Sequence, residues 1–427
     1  MDSRKMFKNA KWIVVCKVIQ SALQLVIGMI TARYLGPANY GLIGYANSVV
    51  SFMLPFMQLG LHSTLVKELI ETPEREGEIL GTSIILDLAS GIVCIGLVNG
   101  FVTITNAGEF QTRVICALSS IVLLFRALEI IQYWFQYRLQ AKFSALIALG
   151  TYIIISIYRI YLLATSKNLI WFALVHPIEY CLVGCSLIII YKKLGGQKFS
   201  FSLCMAKRLL NRSRYYIVSA AMVTIFQNTD HIMLMTMVGE TENGIYTSAV
   251  TCAGVMQFVY MAVIDSFRPI ILERKKQGNA EYENNIIKLY SIILYMSLFQ
   301  GIVFSLFARR IILILYGAEY LSAVGVFKVF VWQIGFSYMG SIRNIWILAE
   351  GKQKIVWKLN FAGAFLNVVL NAMMIPRLGA YGAAFMSLIT QIVTNFVFGF
   401  VIKGLKRNNE LLLKALNPKV VYRMMFR

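Results

Sequence analysis

Residues 81–104 read GTSIILDLASGIVCIGLVNGFVTI, a run of 24 residues with a single charge, Asp87. A helix rises about 1.5 Å per residue, so this run is long enough to cross the roughly 30 Å hydrocarbon core of a bilayer. Working outward, apolar runs of similar length recur at 12–34, 39–60, 114–136, 143–165, 169–191, 214–238, 244–267, 285–308, 323–348, 355–376 and 379–402. With 81–104 they make about twelve expected transmembrane helices and an all-α integral membrane fold. The connections are short, so no sizeable soluble domain is expected.

Composition agrees. Of the 427 residues, 58% are hydrophobic and only 14% charged, against about 25% charged in a soluble domain. The net charge of +21 would suggest nucleic acid in a soluble chain. Here the Lys and Arg lie mostly in short loops, so no nucleic-acid partner is expected. If the N-terminus is cytoplasmic, thirty basic residues fall on the inner side and six on the outer, as the positive-inside rule requires. An even number of spans then leaves both termini cytoplasmic. Arg4, Lys5, Lys8 and Lys11 precede the first run, which is too long for a signal peptide and is interrupted by Lys17, Gln20 and Gln24.

The seven cysteines show no disulfide or metal spacing, and His62, His176 and His231 form no metal motif. There is no phosphate-binding P-loop and no G-x-S-x-G elbow. The chain is therefore expected not to be an enzyme and to need no cofactor. A weak repeat relates Gly41, Leu42 and Ala46 to Gly244, Ile245 and Ala249. It suggests two six-helix lobes, 1–205 and 206–427, linked by the basic stretch 192–213. Parallel repeats of this kind recur in transporters.

Ionisable groups at membrane depth are the natural functional candidates, because they are costly there unless they meet a partner or a wet cavity. Arg126 can pair with Glu129 one turn on, and Tyr133 and Tyr137 continue that face. Tyr152, Ser156 and Arg159 form a stripe in the fifth span. Lys17 lies at about the depth of Asp87, and those two are candidates to pair. Lys328 and Trp332 share a face of the tenth span, with Arg343 nearer its inner end. Gln227, Asp230 and His231 cluster in the seventh span. His176-Pro177 marks a kink in the sixth, and Gly28, Pro55, Gly91, Gly96, Gly254 and Gly335 are further expected bending points. Two readings stand for the cations. In one, Lys17, Arg126, Arg159, Lys328 and Arg343 line a cationic substrate cavity with Tyr133, Tyr152 and Trp332 stacking on sugars. In the other they are internal ion pairs or snorkelling side chains. Asp87, Glu129, Glu179 and Asp230 are the candidates for binding a coupling ion or for gating.

Several motifs are similar to one family. Arg33-Tyr34-Leu35-Gly36-Pro37-Ala38-Asn39-Tyr40-Gly41 resembles its R-x-L-G-P-x-x-Y-G start of the second helix, and Gln58-Leu59-Gly60-Leu61 through Lys67-Glu68 resembles that helix's end. Asp230-His231-Ile232-Met233-Leu234 and Gly244-Ile245-Tyr246-Thr247-Ser248-Ala249 resemble the seventh-helix aspartate and the start of the eighth. Leu315-Tyr316-Gly317-Ala318-Glu319-Tyr320 looks like its L-[FY]-G-x-x-Y. Asn367 to Asn371 with Ile375-Pro376-Arg377-Leu378-Gly379-Ala380-Tyr381-Gly382-Ala383-Ala384 resembles the join of helices eleven and twelve. The family is the oligosaccharide flippases (O-antigen, capsule and teichuronic-acid type) of the multidrug/oligosaccharidyl-lipid/polysaccharide exporter superfamily. The resemblance implies two lobes around a central cavity, alternating access, a bacterial cell membrane and a polyprenyl-diphosphate-linked oligosaccharide as substrate. It also implies polysaccharide polymerase and assembly proteins as partners. The competing functions are a multidrug/cation antiporter of the same superfamily and a membrane sugar polymerase or ligase. An acidic or aromatic drug cavity would mark the first, a large outer loop the second.

Overall fold

The structure is a computed structural model that describes residues 3–278 and 281–417; side chains of residues 3–14, Ser219 and Lys354 are left out of the description. Lys419, Arg423 and Arg427, counted above for orientation, lie outside the described residues. All regular structure among the described residues is helical, as lipid demands, since a helix satisfies its backbone hydrogen bonds internally. Nine helical stretches among the described residues are long and apolar enough to cross a membrane.

Two of the nine are pairs joined across a break. In α1 (Ser3–Met57), Gly36 takes φ 72° and ψ 170°. In α15 (Lys354–Ile392), Gly379 takes φ 53° and ψ −136°. Positive φ costs little only for glycine, and each break is followed or preceded by proline, Pro37 and Pro376. Counting each side separately gives eleven spans. The twelfth, at the expected position 214–238, lies in α10 (Leu203–Met237), which is less apolar than the others because polar residues such as Gln227, Asn228 and Asp230 run along it.

The chain divides into two compact units, residues 1–228 and 229–427, the division falling within α10. The first unit contains α1, α2 (Leu65–Glu71), α3 (Glu76–Thr105), α4 (Phe110–Ser120), α5 (Val122–Arg126), a 3-10 segment (Ala127–Ile131), α6 (Gln132–Tyr137), α7 (Ala141–Ala164), α8 (Leu169–Ala173) and α9 (Val175–Lys193). The second contains α11 (Glu240–Ala253), α12 (Gln257–Lys276), α13 (Glu281–Leu315), α14 (Ala323–Ala349), α15, a π-helical turn (Val393–Val397), α16 (Phe398–Val401) and α17 (Lys406–Ala415). Of the expected bends, Gly254 begins a 3-10 interruption, whereas Gly28, Gly91, Gly96 and Gly335 sit inside continuous helices.

Large apolar side chains point outward. Ile92, Val93, Leu97 and Ile104 of α3 and Phe299, Ile302 and Leu306 of α13 are all more than half exposed. Such stripes on successive helices would be a liability in water and are expected in lipid.

In the first unit the core at one end gathers Leu61, Leu65, Leu69, Ile130, Trp134 and Tyr191. Across it lies a strap, residues 194–202, which carries part of the basic connection. It lies so close to α3 that a Cβ on Gly77 would stand 2.3 Å from the Lys198 carbonyl oxygen, and one on Gly81 2.5 Å from that of Ser200. Backbone bonds from Ser200 N to Gly77 O (3.2 Å) and from Ser202 N to Thr82 Oγ1 (3.1 Å) hold it there. Buried Glu76 accepts from Trp134 Nε1 at 3.0 Å and from Arg138 at 3.1 Å.

Candidate functional site

The fourth span is not one smooth helix. The 3-10 segment Ala127–Ile131 separates α5 from α6 and sets the side chains of Arg126 and Glu129 on the face toward α9. Arg126 Nε donates to Glu129 Oε2 at 3.2 Å, and its terminal nitrogen donates to Tyr180 Oη at 2.9 Å. The guanidinium also lies 4.4 Å above the Tyr180 ring. Arg126 and Glu129 remain about one-fifth exposed, so the pair is not sealed off.

One helical position before Tyr180, Glu179 pairs with His176 at 3.4 Å. Glu179 acts electrostatically on both Arg126 and Tyr152. Tyr152 is buried in α7, its hydroxyl has no hydrogen-bond partner among the described residues, and it feels the charge of Arg159 about two turns on. Arg159 is half-buried and makes no ion pair with a carboxylate among the described residues. Arg126, Glu129 and Tyr180 thus meet between the fourth and sixth spans, with Glu179, Tyr152 and Arg159 within electrostatic range of one another around them. The cluster holds two guanidiniums and two carboxylates. It is charge-balanced, because Glu179 joins Glu129 across helices.

Tyr133 lies beside this cluster but bonds elsewhere. Its hydroxyl is 3.1 Å from His62 Nδ1, and His62 Nε2 is 3.3 Å from Asp87 Oδ2. The expected Lys17–Asp87 pair is therefore absent: Asp87 is fully buried against His62, while Lys17 is exposed on α1. A turn made by Leu59 and Gly60, with φ of 48° and 67°, folds His62 back toward α3. No sequence periodicity links positions 62 and 87, so that partner was not legible.

In the second unit the candidates separate. Asp230 is buried, and its Oδ2 accepts from Tyr246 Oη and Ser387 Oγ, both at 2.5 Å, while Oδ1 accepts from Asn371 Nδ2 at 2.6 Å. Asn371 also donates to Asn367 Oδ1, and Asn367 to Ser387 Oγ. This joins α10, α11 and both halves of α15. Trp332 packs its ring on Gly301 of α13 and donates to Ser305 Oγ at 3.2 Å; Lys328 is exposed. Arg343 is buried and donates to the Thr394 carbonyl at 2.6 Å, within the π-helical turn, where a wider backbone ring displaces the normal i→i+4 acceptor pattern.

Outside the spans, charge pairs brace the loops. Arg208 and Arg212 of α10 grip Glu68 and Glu71 of α2 at 2.5–3.8 Å. The hydrogen bond from Arg212 holds the Glu71 carboxyl below the usual carboxylate range. At Glu350, burial opposes ionisation, but hydrogen bonds from Lys275 and Tyr282 prevail and keep its pKa low. Among the described residues no group of three His, Cys, Asp or Glu is arranged to hold a metal ion.

Residues 6–274 match the family described as polysaccharide biosynthesis protein. The chain is 20% identical to the capsular polysaccharide biosynthesis protein CapF of Staphylococcus aureus, over 91% of this chain and 97% of that one. It is 22% identical to an uncharacterized membrane protein of Methanocaldococcus jannaschii, over 89% and 80%. Among solved structures, the lipid II flippase MurJ in an inward closed conformation superposes with a TM-score of 0.71 at 15% identity, covering 95% of this chain and 90% of MurJ. An inward-facing multidrug resistance MATE family transporter gives 0.70 at 13% identity, covering 93% and 96%. The chain belongs to the polysaccharide biosynthesis protein family, as a multi-pass membrane protein that shares its fold with MurJ and the MATE family transporter.

Proposed function

We propose that the protein flips a polyprenyl-diphosphate-linked oligosaccharide from the cytoplasmic to the outer leaflet of the cell membrane, by alternating access, for surface polysaccharide assembly. Family membership and fold supply the class. The observation that carries the substrate is the convergence of Arg126 and Arg159 with Tyr152 and Tyr180 on three spans of one unit, with Arg159 lacking a carboxylate partner among the described residues. A diphosphate is the natural anion for guanidiniums, which bind it through paired, charge-assisted bonds. Glu129 competes for Arg126, so a headgroup must displace it, and the ring of Tyr180 keeps the freed guanidinium in place through its face. Tyrosine faces also suit sugar rings. Lys17, Lys328 and Arg343 have lesser parts in this reading: the first two as exposed cations that attract the anion, the third as a brace. Both termini are taken as cytoplasmic, from the loop charges. Partners would be the polymerase and assembly proteins that consume the flipped lipid.

The test follows labelled lipid-linked oligosaccharide, leaflet by leaflet, in cells lacking the protein and other flippases. Accumulation on the cytoplasmic side, relieved by the intact protein and not by an Arg126→Gln, Arg159→Gln double variant of equal abundance, is the expected result. Normal arrival in the outer leaflet without the protein would overturn the proposal.

A further inference from the structure

Asp87 is the outlier among the membrane carboxylates. It is fully buried near the middle of a span, and its Oδ1 has no hydrogen-bond partner among the described residues. Its single charged contact is a histidine. Leaving a carboxylate oxygen unpaired in so dry a place is expensive, and the expense falls when a positive charge stands opposite. His62 can supply it. Its ring is edge-on to Tyr133, with centroids 5.2 Å apart, and its side chain keeps 13% exposure. The imidazole thus bridges a dry acid and a surface that protons reach.

The neighbouring groups limit what else could titrate. Tyr133 comes from α6, and Glu129 and Arg126 lie four and seven residues before it, close enough to act on its hydroxyl. Glu179 and Tyr180 of α9 surround Arg126 in turn. On the other side α2 presents Glu68, already gripped by Arg208 and Arg212. Gly60 packs on α10 at Ser213, Tyr216 and Ile217. Gln58, on the far side of the Leu59–Gly60 turn from His62, lines a cleft of about 360 Å³ with Ser51, Thr224, Gln227 and Asn228 on the same unit.

We propose that His62, Asp87 and Tyr133 form a proton-binding site, in which His62 takes the proton and Asp87 is its fixed counter-charge. In the neutral state His62 donates Nε2–H to Asp87 and accepts the Tyr133 O–H at Nδ1. A proton arriving at Nδ1 makes both ring nitrogens donors. Tyr133 must then turn its own O–H away and accept. Glu129, in the 3-10 segment just before α6 and close enough to act on that hydroxyl, is the carboxylate that receives the O–H, and a Glu129 so engaged holds Arg126 less tightly. One proton at His62 is thereby passed on as a looser grip on the guanidinium that the flippase reading assigns to the diphosphate. The proton site itself does not depend on that reading; its link to transport does.

The chain has three histidines, so ring-¹⁵N-histidine spectra of the protein in lipid nanodiscs resolve the site. The His62 signal is assigned by its loss in His62→Gln. At about pH 6, near the range where histidines change charge, the spectrum of the intact protein shows His62 doubly protonated. Asp87→Asn lowers that fraction at least about threefold. An unprotonated ring at that pH, or equal fractions in the two proteins, overturns the site. In proteoliposomes a pH gradient speeds transport of the labelled lipid by the intact protein, and His62→Gln loses that stimulation while keeping the gradient-free rate within about twofold. Absence of any transport by the intact protein, with the spectra as expected, would sink the flippase reading and leave the proton site standing. Retained stimulation in His62→Gln would cut the link between the two.

Discussion

Asp87 and Asp230 are both aspartates buried within membrane helices, one in each unit, and their surroundings are opposites. Asp230 has both oxygens engaged by Tyr246, Ser387 and Asn371. Asp87 has one oxygen near His62 and the other without a partner among the described residues. The arginines differ in exposure rather than in completeness of bonding, since the buried Nε of Arg343 has no hydrogen-bond partner among the described residues. Arg343 is buried against a backbone carbonyl, whereas Arg126 stays partly open and is held by groups an anion can displace. A polar group with every bond made is bound into the fold and has little left to offer a ligand. One with an open valence is costly to keep and is therefore the better candidate for function.

Four experiments break or sharpen that contrast. The largest effect is expected from Asp230→Ala, which strands three buried donors from α11 and α15. Thermal unfolding in detergent should show a loss of about 2–4 kcal/mol, and a loss under about 1 kcal/mol would remove Asp230 from the framework. Next, Arg126→Gln with Arg159→Gln should cut flipping at least about tenfold, roughly 1.4 kcal/mol of lost binding or barrier lowering, with little change in unfolding temperature. Equal damage to both would make the first unit's cluster structural too. Third, Gly81→Ala places a methyl against the Ser200 carbonyl and should cost about 1–3 kcal/mol by overpacking, read as faster protease cutting in 194–202. Unchanged cutting would mean the strap is not pinned there.

The smallest effect concerns the α2 clamp. Because Glu71 ionises more readily folded than unfolded, its contribution is present above the ordinary carboxylate pKa, about 4.3, and is lost as pH falls through the lower folded value. Thiol labelling of a cysteine introduced at Leu69 should accelerate below about pH 4, and Glu71→Gln should remove part of that acid dependence. Labelling indifferent to pH would show that the clamp rests on apolar packing around Leu65 and Leu69.

Much of this was visible in the linear chain. The spans follow from length and hydropathy, because the bilayer imposes one dimension on every helix. The break at Gly36 was marked by the adjacent Pro37 and that at Gly379 by Pro376 three residues before it, and the Arg126–Glu129 pair by its three-residue spacing, which one helical turn determines. Asn367 and Asn371 announced a shared face by being four apart. Local geometry decides all of these, so local sequence shows them.

What only the tertiary structure decided is which helices meet. Asp87 chose His62 over Lys17 because the Leu59–Gly60 turn swings the imidazole back onto α3, while Lys17 faces outward. Glu179 and Tyr180 reached Arg126 from a helix some fifty residues away, which the three-residue spacing of Arg126 and Glu129 does not reveal. Trp332 was drawn into packing by the absence of a side chain at Gly301. The sequence by itself determined an all-helical, multi-span membrane fold and most of the charges buried in it. The partner of each charge, and so whether it is committed to structure or left for a ligand, was set by helix rotation and close approach, which depend on every neighbour at once.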